Sequence, residues 1–120
     1  MVAQGAAAGN SAAMLGIGLL YENGQGVRVN YAKAMEWYRK AAAMHANAAM
    51  EHIGGLYRQG RGVPVNYAKA IKWYRKAAAA GSGGAMARLA AIYRDGIGVA
   101  ANPQKAAKWS AAAARAKAKP

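Results

Sequence analysis

A 36-residue period constrains this chain more than any other feature. The stretch GQGVRVNYAKAMEWYRKAAA, residues 24–43, returns at 60–79 as GRGVPVNYAKAIKWYRKAAA, with 16 of 20 positions identical. It returns once more, weakened, at 96–115 as GIGVAANPQKAAKWSAAAAR. The offset keeps Tyr21, Tyr57 and Tyr93 in register, and with them Trp37, Trp73 and Trp109. A fixed period of this length marks a helical repeat array, whose units bury their apolar faces only by stacking on one another.

Within the period, two helices are expected per unit. Helix A of the first repeat spans residues 11–23, with Met14, Ile17, Leu20 and Tyr21 at helical spacing. Gly24 supplies the positive φ that stops it, and the short linker that follows places the next helix antiparallel. Val27, Val63 and Val99, apolar residues repeated in the linkers, are expected to plug the gap between the two helices. Asn30, Asn66 and Asn102 stand where an N-cap belongs, and Pro103 follows the third at a position needing no N–H.

Helix B covers residues 31–44, with Ala34, Trp37, Tyr38 and Ala41 as its inward stripe and the tryptophans as core. Tyr31 and Tyr67 read as packing residues between repeats. Gly81 closes the second helix B, whereas its counterpart in the first is His45, less suited to that turn. Gly54 and Gly55 weaken a helix by about 1 kcal/mol each, which makes sense if another backbone packs on them. Ser110 replaces Tyr38 and Tyr74 in the last repeat and reads as an end cap. The units are a helical stub at 1–10 covering the first repeat, repeats at 11–47, 48–83 and 84–114, and a basic tail at 115–120 expected to fray.

The pattern Ala13, Ile17-Gly18, Tyr21, Gly24-x-Gly26-Val27, Asn30, Lys33-Ala34, Trp37-Tyr38, Lys40-Ala41-Ala42 resembles the SEL-one-like repeat, a relative of the tetratricopeptide repeat with a longer inter-helix loop. The resemblance covers nearly the whole chain in three copies. Departures are Asn where Asp is commoner at the cap, His45 and Ala90 for Gly, and Ser110 for Tyr. It implies an all-α fold, a right-handed α-solenoid of three 36-residue helix–loop–helix repeats, with helices A lining a concave face and helices B outside. It also implies a non-catalytic scaffold or adaptor. Some disulfide-rich relatives bind β-lactams; with no cysteine here, that activity is not carried over.

Composition narrows the chemistry. Absence of Cys removes disulfides and thiolate metal sites. The first ten residues lack the charged and apolar regions of a signal peptide, and the longest apolar run, residues 12–21, is about half the ~20 residues of a membrane span. A soluble chain of unassigned compartment is expected. Thr, Phe and Cys are all missing, which together with the near-duplicate repeats points toward a simplified or engineered sequence.

Ser11, Ser82 and Ser110 fall in different settings with no base and orienter at hand, so no enzyme is expected. His45 and His52 are separated by a turn and lack a third ligand, so neither metal nor cofactor is expected. The Gly-x-Gly linkers follow helices rather than strands, which makes them turns and not phosphate cradles.

Two surfaces remain. Spacings of 0, +4, +7 and +8 on helix A share a face. They give Leu15, Leu19, Glu22 and Asn23, then Glu51, Gly55, Arg58 and Gln59, then Ala87, Ala91, Arg94 and Asp95. Arg58 and Arg94 are expected to clamp a carboxylate or carbonyl of a peptide or partner helix of acidic character. The net charge of +13 is uneven: residues 52–120 hold 13 of the 17 bases against Asp95 alone. On helices B, Lys69, Lys72, Lys76, Lys105 and Lys108 form a basic row that engages nucleic acid or an anionic surface only non-specifically, with no aromatic residue interleaved for base stacking. An idealised array without a ligand, or one that stacks end to end, is the remaining alternative.

Overall fold

The computed structural model of the protein describes the backbone of residues 2–118 and the side chains of residues 10–118. Six helices follow in order: α1 (Val2–Asn23), α2 (Tyr31–Ala43), α3 (Asn47–Gln59), α4 (Tyr67–Ala79), α5 (Gly83–Asp95) and α6 (Pro103–Ala118). No strand occurs among the described residues. Odd-numbered helices are helices A, and even-numbered ones are helices B. Each A packs most extensively on the B that follows it, while α2 on α3 and α4 on α5 join the hairpins. The result is a right-handed α-solenoid of three helix–loop–helix repeats.

Sequence dictates the turns. Gly24, Gly60 and Gly96 take φ of +68°, +69° and +67°, ending each helix A in a left-handed residue. The chain then folds back, and the Asn30, Asn66 and Asn102 N–H groups donate to the Tyr21, Tyr57 and Tyr93 carbonyls at 2.9, 2.9 and 2.8 Å. The same asparagines cap helices B, accepting from the Lys33, Lys69 and Lys105 N–H groups at 3.0, 2.9 and 3.0 Å. Each cap stabilises its helix by ~1 kcal/mol. His45 adopts φ +66° where Gly81 has +103°, a strained placement for an L residue that costs roughly 1–2 kcal/mol.

Several expectations need correction. Tyr38 and Tyr74, not the tryptophans, are the largest side chains sealed in the core, at 0% and 1% exposure. Trp37, Trp73 and Trp109 are half-buried, and the last two pack against its edge. The Gly54 α-carbon meets not a backbone but the Tyr74 ring: a Cβ there would lie 2.8 Å from Tyr74 Cε1. Gly18 faces Tyr38 in the same way. Leu20 is 40% exposed, and it is Leu15 and Leu19 that pack partly against the core.

Val63 and Val99 pack on the core as expected, but Val27 is exposed. The loops of repeats 2 and 3 lie on the preceding helix B, since a Cβ on Gly62 would fall 2.6 Å from Tyr31 Cβ and one on Gly98 would strike Tyr67. Gly26, by contrast, has no such neighbour among the described residues. Tyr31 and Tyr67 are thus contacts between repeats.

At the ends, the leading stub and the first helix A form the single helix α1, and α6 continues through Ala118. Whether the stub's side chains cover the first repeat lies outside the described residues, as do Lys119 and Pro120.

Candidate functional site

One polar depression of about 200 Å³ opens across helices A, lined by Glu22, Glu51, His52, Gly55, Arg58, Gln59, Arg61, Tyr74 and Arg88. Five of these, Glu22, Glu51, Gly55, Arg58 and Gln59, are inner-face residues read from helical spacing. The period explains their meeting: stacking brings one face of α1, α3 and α5 side by side.

Its floor is built on the buried tyrosines. Tyr38 Oη donates to Glu22 Oε1 at 2.5 Å, and its ring stacks on His52 with centroids 5.1 Å apart. Burial first, then the hydrogen bond to Glu22 and its charge, hold the Tyr38 phenol far above the ordinary phenol range. The other Glu22 oxygen accepts from Arg61 Nη1 at 3.3 Å, and His52 Nδ1 lies 4.0 Å from Oε1.

One repeat on, the position of Glu22 is held by Arg58, whose Nε donates to Tyr74 Oη at 3.1 Å. Glu51 is engaged elsewhere. Its Oε1 accepts from Ser82 Oγ at 3.0 Å, and Ser82, the buried N-cap of α5, accepts in turn from the Ala85 N–H. A Cβ on Gly84 would lie 2.7 Å from Glu51 Oε2, so the carboxylate rests against the positive end of α5.

The structure does not gather the remaining inner-face residues into this depression. Arg94 Nε and Nη2 donate to Asp95 Oδ1 and Oδ2 at 3.0 and 3.2 Å on the exposed end of α5. That contact lowers the Asp95 carboxyl below the ordinary carboxylate range and raises Arg94. Asn23 is exposed, and Leu15 and Leu19 pack toward the core. Four lining residues went unread: His52, Arg61, Tyr74 and Arg88. His52 and Arg88 occupy one repeat position, whose first copy is Gly16, and the row 16/52/88 would have found them.

On the outer face, Lys69 and Lys105 sit over the Tyr57 and Tyr93 rings at 5.4 and 5.2 Å, and Lys76 sits over Trp73 at 4.6 Å. Rings therefore do lie beneath three of the five lysines in the row, contrary to the sequence reading. These ammonium groups are spent partly on cation–π contacts. Lys72 and Lys108 are exposed. His45, in its left-handed turn, lines a separate cavity with Arg39, Met50 and Trp73. Among the described residues no helix is long and apolar enough to cross a membrane.

Comparison with known proteins accounts for the architecture. A family model described as Sel1 repeat matches three times, over residues 11–45, 47–82 and 84–117. A crystal structure of a Sel1 repeat protein from Oxalobacter formigenes superimposes with a TM-score of 0.82 at 37% identity, covering 89% of this chain and 44% of that one. A second, c5321, a protective antigen present in uropathogenic Escherichia coli strains and displaying an SLR fold, gives 0.84 at 35%, covering 95% and 24%. The Helicobacter pylori cysteine rich protein B gives 0.76 at 23%, covering 98% and 87%, and shares the fold. The chain therefore spans less than half the length of the first two. No curated protein matches it.

Proposed function

The chain belongs to the Sel1 repeat family, and we propose that it is a non-catalytic interaction scaffold binding a peptide or partner helix of acidic character along the inner face of helices A. Sel1 repeat proteins generally mediate protein–protein interaction, which supplies the class of partner. The observation that carries the choice of surface is the depression shared by α1, α3 and α5, a concave site with convergent polar groups on rigid helices. An extended segment laid along it meets the Glu22, Arg58, Gln59 and Arg88 side chains in succession. The chain's net charge of +13 favours an acidic partner by steering the encounter.

Catalysis has no support in the serines: Ser82 serves as a helix cap and Ser110 is exposed. Binding of acidic polymers to the outer face rests on charge alone, and the contacts of Lys69, Lys76 and Lys105 with rings weaken it.

A photo-crosslinking residue placed at Gln59 or at Lys72 separates the two surfaces. In nuclease-treated lysate at physiological salt, a discrete protein captured from position 59 and not from position 72 is the expected result. Capture only from position 72, or of nucleic acid alone in untreated lysate, overturns the assignment to the inner face.

A further inference from the structure

We infer that the inner face carries a carboxylate-binding subsite built from Arg58 and Arg88, and that this subsite anchors the bound peptide. The inference rests on the inner-face reading above and adds the chemical group that is held. It follows from asking which polar groups in the depression remain unused once its internal contacts are made.

Both acids are committed. Glu22 accepts from Tyr38 on one oxygen and Arg61 on the other. Glu51 accepts from Ser82 and lies against the first turn of α5. Of the three arginines, Arg61 is neutralised by Glu22 at 3.3 Å. Among the described residues Arg58 has a phenol as its hydrogen-bond partner, at 3.1 Å from Nε, and none on its terminal nitrogens. Arg88 has no hydrogen-bond or ion-pair partner among the described residues. The unused capacity is thus cationic: two guanidinium groups, always charged and offering donors in a planar fork.

The period shows why the subsite lies where the second and third repeats meet. The position of Arg58 is Glu22 in repeat 1, which cannot hold an anion, and Arg94 in repeat 3, already paired with Asp95. Among the three copies of this position, only the one in repeat 2 is an arginine oriented by a tyrosine and, among the described residues, left without a counter-ion. Its half-buried stem and the Tyr74 contact fix its orientation in advance, which reduces the entropy lost on binding. The row of Arg88 tells the same story, being Gly16, then His52 stacked on Tyr38, then the unpartnered arginine. A cavity of about 200 Å³ accommodates one side chain or chain terminus, not a folded domain.

A carboxylate can come from an acidic side chain or from a chain terminus, and three peptides distinguish the sources. Fluorescein-labelled tetraglutamate with an amidated end, tetraglutamine with a free carboxylate and tetraglutamine with an amidated end are titrated against the full chain at physiological salt. One or both of the first two should bind at least about tenfold more tightly than the third, the loss expected for one charged hydrogen-bonding group. The effect should fall by about tenfold in Arg58→Gln and in Arg88→Gln, with Arg94→Gln and Lys72→Gln unchanged.

Arg88 is exposed and has no hydrogen-bond or ion-pair partner among the described residues, so its variant tests the subsite even if Arg58→Gln loosens the fold. Equal binding of all three peptides, no binding up to about 1 mM, or an equal loss in Arg94→Gln overturns the subsite. If the crosslinker at position 59 still captures a protein, the inner-face reading survives that result. If capture moves to position 72, the reading itself fails.

Discussion

Repeats 2 and 3 are built on the same plan, yet they treat the centre of the hairpin differently. In repeat 2 the Tyr74 ring fills the space over Gly54, and its hydroxyl meets Arg58. In repeat 3 the tyrosine is Ser110, exposed, and the glycine opposite is Ala90, buried. Arg94, deprived of a phenol, turns to Asp95. The substitutions move as a set. A ring needs an α-carbon without Cβ beneath it, and once the ring is gone a methyl group can return and strengthen the helix.

The contrast extends to the joints. Arg39 Nη2 reaches Tyr57 Oη at 2.9 Å, and Arg75 Nη2 reaches Tyr93 Oη at 2.7 Å, each tying a helix B to the next helix A. The third copy of that arginine is Ala111, and the third copy of Tyr31 and Tyr67 is Pro103. In α6 only Ala106 is buried, against five residues in α4. Repeat 2 packs against a repeat on each side, and the sequence differences of repeat 3 fall at the positions by which repeat 2 holds its successor.

The sharpest way to break the comparison is to write the third repeat's centre into the second. Tyr74→Ser should cost about 3–5 kcal/mol, the range for emptying a large core position. Gly54→Ala alone should cost about 1–3 kcal/mol, because its methyl group overpacks the ring. Placed in the Tyr74→Ser background, the same change should instead stabilise by up to ~1 kcal/mol, the helix preference of Ala over Gly. A urea-denaturation double-mutant cycle reads this reversal of sign. Purely additive costs would mean that glycine and tyrosine do not act as a pair.

A smaller effect tests the joints. Arg75→Ala removes a charged donor from the Tyr93 phenol and should cost about 1–2 kcal/mol. Ala111→Arg, at the equivalent position in repeat 3, should stay within about 0.5 kcal/mol, since it has no tyrosine to reach. Equal effects at the two positions would mean that helix propensity, not contact across the joint, sets the value of the arginine.

How far these contrasts could be read beforehand depends on what the period carries. It exposes the hairpins, their caps and the left-handed glycines, because these depend on a few residues repeated at a fixed offset. It also exposes about half of the depression, since helical spacing selects Glu22, Glu51, Gly55, Arg58 and Gln59 from one face. Depth was less visible. Trp37 and Tyr38 are adjacent aromatic residues, and nothing in spacing says that the smaller one enters the core; the glycine opposite decides it. Nor does spacing on one helix reveal Tyr74, which reaches the depression from α4, or Arg61, which reaches it from a loop. Arg94 looked like a second clamp because it shares the row of Arg58, but its guanidinium is paired with the neighbouring Asp95.

The first repeat offers the finest test, because there the buried tyrosine meets a carboxylate instead of a guanidinium. Burial and Glu22 hold the Tyr38 phenol above its unfolded value of about 10. The folded protein therefore binds this proton more tightly than the unfolded chain does. Its contribution is fully present below pH 10 and is lost as pH rises beyond that point, because the unfolded phenol ionises while the folded one cannot. By pH 10.5 the loss from this group should be about 0.8 kcal/mol. Tyr38→Phe removes this contribution, so between pH 8 and 10.5 its stability should fall less steeply than that of the parent by this amount. Parallel slopes would place the phenol near its ordinary range and remove Glu22 as a partner that matters. A steeper parent slope would make repeat 1 the alkaline-sensitive end of the array, with repeat 3, which has Ser110 in place of that phenol, free of the effect.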